Sequence, residues 1–534
     1  MKVDVLDCTL RDGAYICESN FGSQVIKGII RKSQDAGIDI IECGWLKDTP
    51  HEAGSSFFHT PDDLVSYFDK SRSDATYVVM IDWNRYNVDN LPICDGTSID
   101  AIRVVFPHGK HKEGIEVGKK IMKKGYKVFF QAANTLAYSD RDLRELAECI
   151  NEAHPVGISI VDTFGAMYED DLERIVNILH GQLDDGIKIG FHSHNNQQLS
   201  FSLCMKFIKL LENKDRDVIV DSSLCGMGRG AGNAPTELIV NYINKTYHGH
   251  YDLDSIMDAI DTYMSYFEEK FQWGYSTPYF IAGMYCCHVN NIAYLTKNHR
   301  ATAKEMRNII ESMSPEDRIK YDYDLLENKY IENQSRVVDD ENTIQSLKKI
   351  FENRNILLLA PGRSSVENFD MIQQYINANN PIVIAVNALL DEYQYDFLFL
   401  SNKTRYNYAK ETRKEQFSKT NKLLLSNIKT QADEDEFIIN YSRAIKRGWE
   451  HFDNAVICCL RIMDKLHIKN VSIAGFDGFK HVYNESYADP NLPTLNPDNK
   501  WDELNEEIRE IYHDFINTAK YCKNITFLTK SIFE

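Results

Sequence analysis

Residues 3–15 read VDVLDCTLRDGAY, an apolar segment that runs directly into a cluster of polar side chains. The first five residues are typical of a buried β-strand. Asp, Thr, Arg, Asp and Gly then follow within the seven positions 7–13, where packing does not require them. We therefore expect a polar site at the end of this strand.

The pattern of this first segment recurs along the N-terminal half of the chain. Seven further β-rich runs follow, with helix-length amphipathic segments such as 23–37 and 142–154 between most of them. Apolar strands that alternate with helices predict a parallel sheet covered on both faces. Eight such units in about 240 residues predict a closed (β/α)8 TIM barrel. An open doubly wound sheet is the alternative, but no Gly-x-Gly-x-x-Gly follows the first strand. The predicted strands are residues 3–7, 38–44, 75–81, 101–106, 127–132, 157–163, 188–194 and 218–223.

The C-terminal half of the chain has a different organisation. After about residue 250 the pattern is helical, and a fresh apolar run, NILLLAPGRSS, begins at residue 355. Further strand-like runs lie at 381–387, 395–402 and 471–479. The predicted domains are the barrel at 1–245, a helical extension covering the barrel mouth at 246–330, a linker at 331–350, and a Rossmann-like α/β domain at 351–534.

Composition narrows the class of protein. The formal net charge of -19 opposes binding to a polyanion, so we expect no nucleic-acid partner. The twelve cysteines form no metal-finger spacing and are expected to be reduced thiols. No apolar run has the length of a membrane span, and the N-terminus lacks a signal-peptide pattern. We therefore expect a cytoplasmic protein without a membrane partner.

Two histidines mark the end of the seventh predicted strand. In FHSHNN, residues 191–196, His192 and His194 are two positions apart and project to the same side of a strand. In a parallel barrel the carboxyl ends of all strands meet on one face, which brings Asp12 to the same place. Two imidazoles and one carboxylate with open positions are typical of a facial site for a divalent cation. The oxygen-rich, thiol-free surroundings favour Mn²⁺ or Mg²⁺.

Three motifs together resemble a known superfamily. They are the strand ending in Asp7-Cys8-Thr9-Leu10-Arg11-Asp12-Gly13, the strand His192-Ser193-His194-Asn195, and the loop Gly230-Ala231-Gly232-Asn233. They are similar to the DRE-TIM metallolyases, the HMG-CoA lyase-like group. Gly13 after Arg-Asp makes the 4-hydroxy-2-oxovalerate aldolase branch the most similar. The resemblance covers roughly residues 1–300.

The resemblance implies roles for particular residues. Asp12, His192 and His194 would be the metal ligands, and the metal would stabilise the enolate of a pyruvate-type 2-oxo acid. Arg11 would stand beside the enolate oxygen as a fixed positive charge. Thr163 resembles the family's Ser/Thr that hydrogen-bonds the bound acid, and Asn233 resembles the loop Asn that borders the metal shell.

One position departs from the aldolase pattern. The family has an acid/base His two residues after Arg-Asp-Gly, where this chain has Tyr15. Tyr is a weak general base at neutral pH unless its pKa is shifted, but it can donate a proton to an alkoxide. Tyr285 resembles a family Tyr that reaches over the site, and His288 lies one turn away. We therefore take Arg11, Tyr15 and Tyr285 as catalytic candidates, with Thr163 and Asn233 as substrate-binding candidates.

The C-terminal domain carries weaker signals. Residues 402–422 contain seven Lys or Arg and two Glu, and APGRSS at 360–365 would open a helix after a strand. The layout is similar to Rossmann-like domains of sialyltransferase-like or pterin-pyrophosphokinase-like proteins. It implies a nucleotide or phosphorylated ligand.

The leading hypothesis is a divalent-metal-dependent aldolase that joins or separates a pyruvate-type enolate and an aldehyde. The alternatives are a Claisen-type synthase acting on acyl-CoA and a 2-oxo acid, and a non-catalytic ligand-binding scaffold. The expected partners are a small 2-oxo acid, an aldehyde, and a further copy of the chain or a dehydrogenase. The aldehyde and the direction of the reaction stay open at this point.

Overall fold

The structure of the protein is a computed structural model, and the chain folds into two compact units, Met1–Val289 and Asn290–Glu534. The residues that it describes are 1–299, 301–428, 430, 436–482, 485–493 and 500–534. Among them, no helix combines the length and the apolar character that crossing a membrane requires.

A closed parallel barrel forms the first unit, as the sequence predicts. Each strand pairs in parallel with the next, and pairing of β1 with β2, with Leu6 beside Ile40, closes the ring of eight. A two-residue strand, β3, pairs with β2 outside the ring. The eight predicted strands are present to within two residues at either end. The strands are β1 (Val3–Asp7), β2 (Ile40–Leu46), β3 (Phe57–Phe58), β4 (Thr76–Asp82), β5 (Ala101–Phe106), β6 (Lys127–Ala132), β7 (Gly157–Asp162), β8 (Lys188–Ser193) and β9 (Val218–Ser222).

Helices cover most of the barrel. No α-helix lies between β2 and β4 or between β4 and β5, all of whose residues the structure describes, and short 3-10 turns connect these strands instead. The helices are α1 (Thr9–Asp12), α2 (Ser23–Asp35), α3 (His111–Lys123), α4 (Asp140–Ala153), α5 (Glu169–Gln182), α6 (Ser200–Leu211), α7 (Thr236–Tyr247), α8 (Leu253–Ala259), α9 (Ser265–Lys270) and α10 (Thr277–Met284). A π-helical turn, Ile260–Met264, joins α8 to α9. The 3-10 turns are Gly13–Tyr15, Pro61–Leu64, Lys70–Arg72, Val88–Asn90, Thr135–Ala137 and Leu224–Gly226.

The inside of the barrel has an apolar layer below a polar one. A buried apolar cluster includes Ile40, Ala101, Phe129 and Ile219. Two residues further along the same four strands, and so on the same face, lie the buried Glu42, Arg103, Gln131 and Asp221. The change from apolar to charged side chains occurs towards the carboxyl ends of the strands, which is where TIM barrels carry their active sites.

The second unit is built on a seven-stranded parallel sheet in the order β14-β13-β12-β11-β10-β15-β16, a Rossmann-like arrangement. Four of its strands are predicted from the sequence. Asn421–Leu425, Glu436–Ile439 and Asn524–Phe527 are not, because each is short and at least one polar residue interrupts its apolar pattern. The strands are β10 (Ile356–Leu359), β11 (Ile382–Val386), β12 (Phe397–Leu400), β13 (Asn421–Leu425), β14 (Glu436–Ile439), β15 (Asn470–Ala474) and β16 (Asn524–Phe527).

The helices of the second unit begin before the sheet. They are α11 (Val289–Lys297), whose first residue ends the first unit, α12 (Ala303–Glu311), α13 (Pro315–Arg318), α14 (Tyr323–Gln334), α15 (Glu341–Phe351), α16 (Ser364–Glu367), α17 (Phe369–Asn379), α18 (Lys403–Thr412), α19 (Lys414–Lys419), α20 (Tyr441–Ala444), α21 (Ala455–Lys465) and α22 (Trp501–Thr518).

The observed boundaries differ from the predicted domains. The predicted extension at 246–330 divides between the two units, with α8 to α10 in the first and α12 to α14 in the second. The predicted linker contains α15, whose Ile344, Leu347 and Phe351 are buried in the core of the second unit. The polar composition of 331–350 reflects the exposed face of this helix, while its apolar residues lie three and four positions apart.

Gly44 allows β2 to bend beside the site, and its replacement should destabilise the barrel. The strand has a register shift between Glu42 and Trp45, and Gly44 has a φ of 146°. A Cβ atom there would lie 2.1 Å from the carbonyl oxygen of Ser56, which accepts a hydrogen bond from the Trp45 N–H. We expect Gly44→Ala to lower the free energy of unfolding of the first unit by more than about 2 kcal/mol. Urea unfolding should show this as a lower midpoint for the transition of that unit. Gly181→Ala in α5, where a Cβ meets nothing within 4 Å, is the control and should match the wild type or exceed it. Equal midpoints for the two variants would contradict this account.

Candidate metal centre

Asp12, His192 and His194 come together at the carboxyl end of the barrel. Asp12 ends the one-turn helix α1 that follows β1, His192 lies in β8, and His194 follows it directly. One donor atom from each lies within 4.8 Å of the others, and the exposed fractions of the three residues are 1, 4 and 8%. The structure thus brings together three residues predicted from strand alternation and from their positions at strand ends.

Backbone contacts hold the two histidines in place. His194 forms an isolated antiparallel bridge with Asn233, and the N–H of Asn195 donates to the carbonyl of Gly232 at 2.8 Å. The two imidazole rings stand nearly perpendicular, with centroids 5.0 Å apart. The loop that carries Asn233 therefore sets the position of the strand end as well as contacting the site.

Asp12 is held as a carboxylate. Its Oδ1 accepts from Arg11 Nη1 at 2.5 Å, and its Oδ2 accepts from Asn233 Nδ2 at 2.9 Å and from the Arg229 N–H at 3.2 Å. Burial by itself would raise the pKa of Asp12, but the charge of Arg11, followed by smaller effects of both histidines and Asn233, holds it well below its usual range. The side chain is therefore ionised and directed into the cluster at neutral pH.

His194 is neutral at physiological pH. Burial lowers its pKa to about 4 and outweighs the opposing effect of Asp12. Its Nδ1 lies 3.9 Å from Asp12 Oδ2 and has no hydrogen-bond partner among the described residues. Asn233 Oδ1 is likewise buried without a partner in that part of the chain. A neutral imidazole, a carboxylate and an unsatisfied amide oxygen fit the needs of a divalent cation.

A series of buried ion pairs connects Arg11 to His192. Arg11 Nε donates to Glu42 Oε2 at 2.8 Å, and Arg103 Nη1 donates to the same oxygen at 2.8 Å. Arg103 Nη2 contacts Asp221, whose Oδ2 lies 3.1 Å from His192 Nδ1. Burial would raise the pKa of Asp221, but Arg103 and His192 lower it. With Asp12, three carboxylates face two guanidiniums, which leaves an excess of one negative charge to attract a cation.

A second group of side chains lies beside Asp12. Arg229 Nη2 approaches His288 Nε2 at 2.7 Å, and the guanidinium stands 5.0 Å from the centre of the Tyr15 ring. Loss of water raises the pKa of the Tyr15 phenol, and burial lowers the pKa of His288 to about 4, with Arg229 adding to the effect. Arg229 has no carboxylate within ion-pair distance among the described residues. The Arg229 guanidinium therefore contacts the neutral imidazole of His288 and the phenol of Tyr15.

The three remaining predicted site residues are Thr163, Asn233 and Tyr285, and the structure gives the contacts of the first two and the burial of the third. Thr163 Oγ1 accepts from the Asn134 N–H at 2.7 Å, which leaves the hydroxyl hydrogen to donate elsewhere. Asn233 contacts Asp12 directly, through the 2.9 Å hydrogen bond given above. Tyr285 follows α10 and is half-buried.

The glycine-rich loop 226–233 approaches Asp12 very closely. A Cβ on Gly228 would lie 2.4 Å from Asp12 Oδ2 and 2.3 Å from Asn233 Nδ2. Glycine at this position is required because the backbone occupies the space of a side chain.

Comparison with known proteins agrees with this geometry. A family model described as HMGL-like matches residues 111–262. The 4-hydroxy-2-oxovalerate aldolase of Thermomicrobium roseum is 30% identical over 278 residues, which cover 48% of this chain and 71% of that protein. The oxaloacetate decarboxylase of Mycobacterium tuberculosis is 29% identical over 264 residues, which cover 48% of this chain and 74% of that protein. The 4-hydroxy-2-oxovalerate aldolase of Pseudoalteromonas translucida is 24% identical over 270 residues, which cover 49% of this chain and 75% of that protein.

The chain belongs to the HMGL-like family. The relatives are aldolases and a decarboxylase, so this family member is an enzyme of the lyase class. Enzymes of the family use a divalent metal ion, and the Asp12, His192 and His194 cluster is the candidate site for one. The resemblance of the three motifs to the DRE-TIM group is confirmed.

Sequence reasoning about this HMGL-like enzyme missed Arg103, Asp221 and Arg229. A signal was present for the first two, because each is a charged residue inside an otherwise apolar predicted strand, AIRVVF and VIVDSS. Such a charge is buried only with a partner, so the two would have been expected to pair. Arg229 lies in a loop, where no periodicity indicates its direction.

Breaking the buried charge chain should destabilise the barrel. Arg103→Met leaves Glu42 and Asp221 in a buried site without this guanidinium, which costs about 3–5 kcal/mol when one partner of a buried pair is removed. Hydrogen exchange followed by mass spectrometry should show faster exchange in β5 and β9. Arg85→Met removes a pair with Asp82 at 3.6 Å whose arginine side chain is 77% exposed, and it should leave exchange unchanged. Unchanged protection of β5 and β9 in Arg103→Met would refute the structural role of this series of buried ion pairs.

Proposed function

We propose that this enzyme is a divalent-metal-dependent aldolase that joins or separates a pyruvate-type 2-oxo acid and an aldehyde. One observation carries the proposal. Beside the Asp12, His192 and His194 cluster, Arg11 Nη2 is buried without a hydrogen-bond partner in the described part of the chain, while Nε and Nη1 of the same guanidinium are occupied. A fixed N–H donor therefore adjoins the candidate metal ligands.

Asp12, His192 and His194 would hold the cation, with Mn²⁺ or Mg²⁺ as the ion that the oxygen-rich surroundings favour. When bound, the cation supplies Lewis acidity towards the keto oxygen of a 2-oxo acid.

Arg11 would stabilise the negative charge that develops on the substrate. Removal of a proton from the carbon next to the keto group moves charge onto the keto oxygen, and Nη2 donates to it. Since Glu42 and Asp12 already fix this guanidinium, it needs no reorganisation when the charge develops. Arg also keeps its proton throughout the reaction.

Tyr15 would handle the hydroxyl proton of the aldehyde-derived half. In cleavage, this proton leaves the hydroxyl as the carbon–carbon bond breaks; in the joining direction, the phenol returns it to the alkoxide. Arg229, 5.0 Å from the ring centre, favours a negative charge on the phenol and opposes the desolvation that raises its pKa. Tyr285 remains a further candidate for this proton transfer.

Thr163 and Asn233 would bind the substrate from the segments that follow β7 and β9, two strands apart in the ring. The Thr163 hydroxyl keeps its hydrogen for donation, because its oxygen accepts from Asn134. Asn233 Oδ1 is an acceptor that the described residues leave unused, and the hydroxyl of a 4-hydroxy-2-oxo acid could donate to it.

Decarboxylation of a 2-oxo diacid such as oxaloacetate is the second candidate. Loss of CO₂ produces the same enolate but no alkoxide, so it needs no hydroxyl proton carrier. Two observations favour it: a relative 29% identical is an oxaloacetate decarboxylase, and Tyr15 stands where the aldolase branch has a His.

Metal content and enolate formation test the first part of the proposal. We expect the purified enzyme to retain about one divalent ion per chain, and Asp12→Asn and His192→Ala to lose it, as measured by plasma mass spectrometry. NMR should show exchange of the pyruvate methyl protons with D₂O in the wild type with Mn²⁺, and none in these variants. His108→Ala, a histidine whose side chain is 41% exposed, is the control and should retain both properties. Bound metal without exchange would exclude pyruvate as the donor.

Tyr15→Phe separates the two candidate reactions. For an aldolase, the variant should still exchange methyl protons but lose about 10²–10⁴-fold in cleavage of 4-hydroxy-2-oxo acids. For a decarboxylase, CO₂ release from oxaloacetate should be the faster wild-type reaction and should survive the substitution. A variant that retains full aldol cleavage would eliminate Tyr15 as the proton carrier.

A further inference from the structure

A cleft in the second unit lies where ligands bind in open parallel sheets. It encloses about 880 Å³, including its open mouth, and the loops after β10 and β15 line it with Gly362 and Asp477. These strands are neighbours inside the sheet, and the chain runs outwards from them in opposite directions. Such a switch point, outside the carboxyl ends of the strands, is the general ligand site of this architecture.

Two helix N-termini open into this cleft. Asn402 is the N-cap of the ten-residue α18, where its Oδ1 accepts from the Arg405 N–H at 2.9 Å. Asn454 is the N-cap of the eleven-residue α21, and its Oδ1 accepts from Val456 and Ile457. Both asparagines line the cleft, so the positive ends of both helix dipoles face it.

Among the described residues, one guanidinium and two carboxylates line the cleft, and the guanidinium is the group that can pair with an anion. The Arg405 side chain lines the cleft, its residue is 2% exposed, and its guanidinium stands 5.1 Å from the centre of the Tyr487 ring. The acidic side chains that line the cleft already accept hydrogen bonds from the protein. Asp477 accepts from the N–H and hydroxyl of Ser364, and Asp453 accepts from two tyrosine hydroxyls at 3.4 Å.

His451 presents an unsatisfied nitrogen in the same cleft. The residue is 9% exposed, and its Nδ1 lies 2.5 Å from Glu507 Oε2, which fixes the ring. Its Nε2 is buried and has no hydrogen-bond partner in the described part of the chain. A buried polar atom of this kind costs about 1–3 kcal/mol unless a ligand or water satisfies it. An imidazole nitrogen can form a hydrogen bond with a phosphate oxygen or hydroxyl.

We propose that the second unit binds a small organic phosphate ester in this cleft, with Arg405, His451 Nε2 and the N-termini of α18 and α21 around the phosphate. The apolar part of the lining, which includes Phe476, Phe479 and Ile508, would contact the organic portion. Among the Lys and Arg residues of the basic segment 402–422, only Arg405 lines the cleft; Arg413 and Lys419, for example, pair with acidic residues. This inference does not depend on the reaction of the barrel.

Isothermal titration of the full-length chain with inorganic phosphate, uridine monophosphate and glucose 6-phosphate tests the proposal. EDTA in the buffer removes divalent ions, so that the candidate metal centre captures none of the probes. We expect at least one ester to bind more tightly than inorganic phosphate. Arg405→Met and His451→Gln should each weaken that ester roughly tenfold to a hundredfold. His513→Gln, an exposed histidine on α22, is the matched control and should bind like the wild type.

Three results would overturn the proposal. They are no binding of any probe at millimolar concentration, equal binding of inorganic phosphate and both esters, and ester binding that survives His451→Gln. Circular dichroism checks that each variant is folded, and the milder His451→Gln decides the outcome if Arg405→Met is not. Which ester binds distinguishes a nucleotide from a sugar phosphate.

Discussion

The chain of buried charges that runs from Asp12 through Arg11, Glu42, Arg103 and Asp221 to His192 is the constraint on which the barrel site depends. Each member is nearly inaccessible to water, and ion pairs join each one to the next in this series. Removing one partner would leave a costly buried charge, so the arrangement fixes the strand ends relative to one another. It also orients Arg11, whose Nε and Nη1 bind the protein while Nη2 has no hydrogen-bond partner among the described residues.

This network sets the protonation states and the orientation of the residues in the candidate metal centre. Arg11 keeps Asp12 ionised, burial keeps His194 neutral, and Asp221 Oδ2 lies 3.1 Å from His192 Nδ1. Carboxylates that orient ligand histidines are a common feature of metal sites. The nearby Tyr15, Arg229 and His288 form a separate group, in which a cation is paired with neutral rings. The two groups correspond to the two halves of the proposed reaction, charge development on the 2-oxo acid and proton transfer on the aldehyde-derived half.

The second unit follows the same geometrical rule with a different sheet. In the barrel, closure brings eight strand ends to one rim, and in the open sheet the reversal of strand order separates two neighbouring loops and leaves a cleft between them. The sequence predicted four of its seven strands and a phosphorylated or nucleotide ligand. It could not predict the cleft, because the strand order depends on where β15 inserts beside β10, and no local pattern encodes that choice. The basic segment 402–422 was a weaker guide than it appeared, since only Arg405 of its charged residues lines the cleft.

The sequence by itself determined the eight barrel strands, the shared direction of His192 and His194, and the proximity of Asp12 to both. These features follow from the two-residue period of a strand and from the common direction of parallel strands, both of which are local rules. Only the tertiary structure decided that Arg103 and Asp221 link Glu42 to His192 through ion pairs. It also decided that Arg229 contacts His288 and Tyr15, and that His451 and Arg405 line one cleft. These pairings join residues from 29 to 214 positions apart, and their distances depend on how separate strands and loops pack. The helix at 341–351 shows the same limit, because its burial depends on a sheet whose strands all come later in the chain.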